Sequence, residues 1–346
     1  MSTNVLGGNE AGDGENEGVV LRQRPVGLLR HEDVELVALP FPEPPPGGIV
    51  VRTDRIGIDA TVRSWLQAGE GYFPAVEIGE VVRSSGIGRV VVTDSPNFRE
   101  GDVVTALTGW QRYVALDDDI LATNVGPADD VDQAAHLAVY GSAGMTAYIG
   151  MLEVGKVESG DRVLVSAAAG ATGSIAAQLA KHRGATVVGL ASTDAKCRWL
   201  VGDLGLDDAI NYRTADVPAG LKQHFPKGID VFFDNVGGPL LDMALARIAN
   251  HGRVVLCGAI SSYNDDHRPP GPANYLNLIQ RQASMHGFLT LNHWDRFGEI
   301  QPILEGLVTS GVLKFRTEVF DGLDSAVDAL NAMFTGQNIG KVVVQL

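Results

Sequence analysis

Cysteine is scarce in this chain: Cys197 and Cys257 are the only two, and they form no CxxC pair. That excludes a disulfide scaffold and is expected of a protein kept in a reducing, cytoplasmic compartment. Basic residues are few as well, 27 Lys and Arg against 42 Asp and Glu, for a net charge of −15. A surface of that sign repels phosphate backbones and anionic headgroups, which argues against nucleic acid or a membrane as partner. An anionic ligand must then be held by a few placed cations and backbone N–H groups. Long apolar runs are also missing. The longest uncharged stretch, 133–152, is broken by Gln133, His136, Gly141, Ser142, Gly144, Thr146 and Gly150, and lacks the apolar density of a membrane span. It reads as a buried helix with close-packed small residues. The first 18 residues lack the basic and apolar segments of a signal peptide. They carry Glu10, Asp13, Glu15 and Glu17 with no base, so they are expected to form a disordered tail.

What remains is ordinary globular composition, 45% hydrophobic over 346 residues, enough for two domains with their own cores. From Val19 to Asp119 short β-branched runs (GIVVRT, GRVVVT, DVVTAL) are punctuated by Gly, Pro and Asp, the pattern of a β-rich domain. After Asp129 strands and helices alternate. RVLVSA, TVVGLA, DAINY, GIDVFFDNV and GRVVLCGAI read as strands, with helices over 174–183, 194–204, 216–225 and 239–250 between them. Apolar strands separated by helices in this way form right-handed βαβ units around a buried parallel sheet. From Lys314 the chain returns to strand–helix–strand and is expected to rejoin the first domain. The fold class is α/β: a doubly wound parallel-sheet domain over 134–313, and a β-rich domain over 19–133 completed by 314–346.

The turn after RVLVSA is Ala168-Ala169-Gly170-Ala171-Thr172-Gly173, a G-x-G-x-x-G with Ala in first place. Gly170 lets a backbone approach a pyrophosphate, Gly173 allows close helix–strand packing, and the helix N-terminus that follows favours an anion. The other reading is a tight βα turn that binds nothing. NAD binders place Asp or Glu at the end of the next strand, to bond the ribose 2′-hydroxyl. Here it ends Ala191-Ser192, and Asp194 reads as the N-cap of the following helix. Ser192 and Lys196 suit a 2′-phosphate, so NADPH is favoured over NADH; for Lys196 the alternative is an exposed residue in a first helical turn. Neither HxH nor HExxH occurs, and both cysteines lie in the cofactor half, so no metal site is expected. A conjugated C=C–C=O acceptor can be reduced without a metal, provided a hydrogen-bond donor stabilises the enolate oxygen.

The segments SAAAGATGS (166–174), FDNVGG (233–238), LCGAISSYN (256–264) and GQNIGK (336–341), in this order and spacing, resemble the medium-chain dehydrogenase/reductase superfamily. Within it they are similar to the zinc-free NADPH-dependent double-bond reductases, a likeness that runs from Val20 to Leu346 and implies a Rossmann domain over 134–313 beside a GroES-like β-rich domain over 19–133 and 314–346. The resemblance implies that Gly170, Ala171, Thr172 and Gly173 hold the pyrophosphate, with Lys196 and Tyr212 at the adenosine phosphate. It further implies that Asn235 and the stretch Cys257, Gly258, Ala259 and Ile260 contact the cofactor. Phe288, Leu289 and Thr290 would line the nicotinamide side, and Asn338 would close the cleft. Tyr263 would donate a hydrogen bond to the substrate carbonyl, the alternative being a loop tyrosine that only packs. The implied substrate is a small enone or enal, and the implied assembly a homodimer through the sheet edge, with VVLCGAI and SMHGFLT as candidates. One departure stands out. Where relatives read Asp-Pro-Tyr-x-Arg, this chain has Asp59-Ala60-Thr61-Val62-Arg63, so a substrate-lining phenol is replaced by a smaller hydroxyl. Tyr72 and Trp110 are candidates to fill part of the gap. A quinone reductase and a low-turnover NADPH-binding sensor or scaffold remain as other readings.

Overall fold

The β-branched runs of the first domain pair as their period-two patterning requires. In the computed structural model, which describes residues 15–69, 71–117, 122–127, 131–265, 267 and 269–346, β1 (Asn16–Leu21) and β2 (Val34–Leu39) form an antiparallel ribbon. Next come β3 (Ile49–Ile58), α1 (Thr61–Trp65), β4 (Ser85–Thr93), β5 (Asp102–Ala106), β6 (Tyr113–Leu116) and β7 (Thr123–Pro127). The expected tail ended at residue 18, yet Asn16, Glu17 and Gly18 belong to β1. Asn16 is buried and exchanges hydrogen bonds with the backbone of Tyr113, and Glu17 pairs with Arg112 at 2.9 Å. Local composition carried no sign of these distant partners. Residues 1–14, on which the rest of that expectation falls, lie outside the described residues.

The chain then crosses through α2 (Gln133–Ala135), a π-helical turn and α3 (Ser142–Tyr148), rather than one continuous helix. The small residues serve close packing as expected: a Cβ on Gly144 would lie 1.7 Å from the carbonyl oxygen of Val139, and one on Gly150 would meet Phe233 and Phe288 at 2.7 Å.

Alternating strands and helices follow: β8 (Arg162–Val165), α4 (Ala171–His182), β9 (Thr186–Ala191), α5 (Asp194–Gly202), β10 (Asp208–Asn211), α6 (Val217–His224), β11 (Ile229–Asp234) and α7 (Gly238–Ala246). β12 (Ile248–Leu256), α8 (Leu276–Gln280), β13 (Ser284–Gly287) and α9 (Phe297–Thr309) complete this part. The strands form one parallel sheet in the order β10–β9–β8–β11–β12–β13. The order reverses between β8 and β11, and there the carboxyl ends of the strands open a crevice. Val163, Leu164, Val165, Val231, Phe232 and Phe233 are fully buried in the two central strands, because helices cover both faces. α7 stops four residues before the expected Asn250, and β12 already begins at Ile248. Pairing with β11 overrides a local pattern that reads equally as helix.

The end of the chain rejoins the first domain through β14 (Thr317–Asp321), α10 (Ala326–Thr335) and β15 (Lys341–Gln345). The resulting sheet runs β14–β15–β3–β4–β5–β7, with β6 also on β3. Just before β15, Gly340 has φ +75°, and a Cβ there would lie 2.0 Å from the Arg316 carbonyl oxygen. Its N–H donates to Ala169 O at 2.8 Å, and it forms a parallel bridge with Gly170. The terminal segment is thereby tied to the glycine-rich turn.

Candidate active site in the crevice

The glycine-rich turn leaves β8 with Ala167 at φ +45°, a left-handed conformation unusual for a residue with a Cβ. A Cβ on Gly173 would lie 2.4 Å from Ala167 O, so helix α4 packs on the strand only because that residue is glycine. At Gly170 the nearest atom to such a Cβ is 3.3 Å away, so glycine there is not demanded by packing. No side chain caps the start of α4, and the N–H groups of Ala171, Thr172 and Gly173 are left for an anion. The local geometry fits a pyrophosphate.

Across the switch point, the ends of β8 and β11 are locked by Asp234, which sequence reasoning passed over within FDNVGG. It is fully buried, accepts from Ser166 Oγ at 2.7 Å, and accepts from the N–H groups of Val236 and Gly237. Burial pushes its carboxyl up, and those donors partly offset the push. Asn235 sits at the carboxyl edge as expected, but its amide Nδ2 donates to Ser166 O at 2.7 Å, so the side chain serves as a clamp between strands. Cys257 and Gly258 donate their N–H groups to Asp234 O, and Ile260 donates to Asn235 O. The stretch Cys257, Gly258, Ala259 and Ile260 is thus brought onto the rim beside Asn235. Burial pushes the Cys257 thiol up to about 12, so it stays neutral.

At the end of β9 the structure gathers Ser192, Lys196 and Tyr212, together with Arg213, which the sequence reading missed. Lys196 is 7% exposed, not the surface lysine that its place in a first helical turn allowed. Burial, and after it the neighbouring Arg213, lower its pKa to about 8, against a smaller opposing pull from the Glu318 carboxylate. Among the described residues neither cation has a carboxylate within ion-pair distance. Arg213 Nη2 donates to Thr335 O at 2.7 Å and Ser192 Oγ to Gly336 O at 3.2 Å, which brings the end of α10 against this subsite. The helix cap is corrected too. Thr193, not Asp194, caps α5, its hydroxyl accepting from Lys196 N at 3.3 Å, while Asp194 accepts from Asn211 Nδ2 at 2.7 Å. Both residues can cap, and only the tertiary partner Asn211 decides between them.

Tyr263 closes a 3-10 turn (Ile260–Ser262) after β12, and its hydroxyl oxygen accepts from Ala259 N at 3.1 Å. With that acceptor position taken, the phenol proton is free to donate elsewhere. Burial raises its pKa, so the hydroxyl stays protonated. Gln67, just beyond α1, donates to the carbonyls of Tyr263 and Asp265 and brings the first domain against this loop. Tyr72 hydrogen-bonds Thr61, whereas Trp110 is fully buried in the first domain's core and fills nothing in the crevice. Phe288 packs against the core beside Gly150, Leu289 leads into a 3-10 turn, and the Thr290 hydroxyl pairs with that of Thr146 at 2.6 Å. Asn338 is buried, its Nδ2 donating to Gly340 O next to the glycine-rich turn. No three His, Cys, Asp or Glu side chains among the described residues converge as a metal site.

Two protein families match this chain: one described as the N-terminal domain of oxidoreductase, over residues 18–123, and one described as zinc-binding dehydrogenase, over 171–305. It is 33% identical to the NADP(+)-dependent 2-alkenal reductase of Nicotiana tabacum, covering 96% of this chain and 97% of that one. Identity to the NADPH-dependent curcumin reductase of Escherichia coli is 31%, over 94% and 96% of the two chains. Among solved structures, CurA from Vibrio vulnificus in complex with NADPH superposes with a TM-score of 0.90 at 31% identity, over 95% of this chain and 98% of that one. The chain therefore belongs to the medium-chain dehydrogenase/reductase superfamily, among its NADP-dependent double-bond reductases.

Proposed function

We propose that this protein uses NADPH to reduce the C=C bond of α,β-unsaturated ketones and aldehydes. The observation that carries the reading is a phenol at the carboxyl edge of the sheet, Tyr263, whose oxygen accepts from the Ala259 N–H and whose own proton is left to donate. When bound, the nicotinamide supplies hydride to the β carbon of the acceptor. The chain's own residues do the rest. The N–H groups at the start of α4 hold the pyrophosphate. Lys196, Arg213, Ser192 and Tyr212 hold the 2′-phosphate, and the missing acid at Ala191 removes the repulsion that would exclude it. Tyr263 stabilises the enolate oxygen. The named relatives, an alkenal reductase and a curcumin reductase, fit this substrate class. Two unpaired cysteines fit a cytoplasmic setting.

The test is NADPH oxidation followed optically against a panel of enones, enals and quinones, with NADH in parallel. Turnover of enones with NADPH strongly preferred is expected. Turnover of quinones alone would replace the reading with a quinone reductase, and binding without turnover with a sensor or scaffold.

The same reading includes a homodimer. Of the two expected edge segments, β12 is internal, and β13 lies at the edge of the sheet. Beside it Tyr275, Leu276 and Ile279 are 53%, 51% and 73% exposed, apolar area that a second copy would cover. Light scattering on the purified protein should give twice the monomer mass, and Leu276→Asp with Ile279→Asp should give the monomer. A wild-type monomer at micromolar concentration would sink the dimer.

A further inference from the structure

The replacement of the family's phenol by Thr61 leaves open what faces the substrate from the first domain. The turn that carries Tyr72, residues 66–69 and 71–76, answers this. It is closed by Val76 N donating to Trp65 O at 2.8 Å, and pinned by two arginines. Arg24 donates to Leu66 O and Val76 O, and Arg83 donates to Pro74 O at 2.7 Å while lying over the rings of Trp65 and Phe73. The loop therefore presents Tyr72 from a fixed base. Tyr72 meets Trp65 edge-on, with ring centroids 6.3 Å apart, stands 5.7 Å from Phe73, and keeps 49% of its surface exposed. Its hydroxyl bonds to Thr61 Oγ.

Helix α1, which carries Thr61, is tied to the reaction crevice at both ends. At its start, Asp59 bonds Lys341 Nζ at 2.5 Å, next to the Gly340 that bridges Gly170. Beyond its end, Gln67 reaches the carbonyls of Tyr263 and Asp265. The first domain thus brings Thr61 and Tyr72 toward Tyr263, and Tyr72 is close enough to be among the groups that raise the Tyr263 pKa.

We propose that Tyr72, held by Thr61, is the specificity-determining residue of this pocket, and that it selects neutral enones bearing an aromatic or cyclic group. This rests on the reductase reading above. The hydroxyl pair offers a polar contact near the acceptor's oxygen, and the exposed Tyr72 ring, backed by Trp65 and Phe73, offers a face for a flat substituent. Among the described residues, three cations near this wall are buried or held in place. Lys341 is 2% exposed and paired with Asp59; Arg63 is fully buried and donates to Pro25 O and Gly27 O; Arg83 is spent on Pro74 and the two rings. A carboxylate on the substrate finds no free partner among these and meets a strongly acidic protein.

The test compares Tyr72→Phe, Tyr72→Ala and Thr61→Val with the wild type on 4-phenyl-3-buten-2-one, trans-2-nonenal and 4-oxo-4-phenyl-2-butenoate, with NADPH affinity measured on each variant as a check of folding. For the phenyl ketone, Tyr72→Phe should lower kcat/KM about fivefold, mainly through KM, as loss of one hydrogen bond does. Tyr72→Ala should lower it about thirtyfold, as loss of hydroxyl and ring together does. Thr61→Val should follow Tyr72→Phe in direction, and nonenal should change less than twofold. The wild type should favour the phenyl ketone over the carboxylate at least tenfold. Equal losses on both neutral substrates, no loss at all, or a carboxylate turned over as well as the ketone would overturn the assignment. Failure of the reductase reading is seen separately, as a wild type that reduces neither neutral substrate.

Discussion

Replacing Lys196 and Arg213 together by alanine is expected to weaken NADPH binding by about a hundredfold or more, since each charge-assisted hydrogen bond contributes about 1.5–3 kcal/mol. NADH binding should stay within about threefold, because NADH lacks the group these cations meet. The expectation comes from the electrostatics of the empty-handed pair. Lys196 is 7% exposed, its pKa is lowered to about 8 by burial and then by Arg213, and among the described residues no carboxylate lies within ion-pair distance of either, Glu318 acting on the lysine only from farther off. Two cations drawn together with only the more distant Glu318 to offset them destabilise the free protein, and a 2′-phosphate relieves both costs at once. The pH dependence follows with a definite sign. The unfolded lysine has a pKa of 10.5 and the folded one about 8. The cost of keeping it charged is fully present below pH 8 and disappears as pH rises toward 10.5, so the free protein gains stability across that window. NADPH affinity runs the other way. It falls as pH climbs through 8 and the lysine loses its charge, while NADH affinity stays flat. Fluorescence titration of both cofactors from pH 6.5 to 9.5, on wild type and double variant, measures all of this. Equal pH profiles for the two cofactors would remove Lys196 from the phosphate site.

The parts of this site that the sequence made legible are those set by local pattern. TVVGLA is β9 from its first residue to its last, and the glycine-rich turn joins a strand to a helix because strand period, glycines and helix period follow one another directly. The illegible parts depend on partners far along the chain. Arg213 stands in the short NYRT segment with no motif of its own, and only pairing of β10 with β9 brings it beside Lys196. Asp234 looks like any strand-ending acid until Ser166, sixty-eight positions away, donates to it. Thr193 and Asp194 are both competent caps, and Asn211 settles the choice. Asn16 and Glu17 sit in a composition typical of disorder, yet they are drawn into β1 by Tyr113 and Arg112. Tyr72 is legible in the sequence as a candidate to fill the Thr61 gap, but its bond to Thr61 depends on a loop pinned by Arg24 and Arg83.

The second large effect is expected at Tyr263. With phenylalanine in its place, kcat for enone reduction should fall about a hundredfold, the range observed when one donor to a developing oxyanion is removed. Two features keep the loss from being total. Solvent can protonate an enolate once it forms. In addition, the Ala259 N–H that Tyr263 occupies at 3.1 Å is released by the substitution, and it becomes a donor aimed into the same space. Tyr263→Phe removes one donor and frees another, weaker and farther back. Cofactor affinity should be unchanged, because the phosphate contacts lie at the ends of β8 and β9 and not on this loop. Since burial raises the phenol's pKa above its ordinary value, the wild-type hydroxyl remains a donor throughout the neutral range. The pH profile of kcat should therefore show no limb from this group below pH 10. Stopped-flow measurement of the reductive step separates this chemistry from product release. A hundredfold loss there with an unaltered NADPH affinity places Tyr263 at the reacting oxygen. A change of less than twofold would leave it as a wall of the pocket, with Ala259 N–H and the Thr61–Tyr72 pair as the remaining donors.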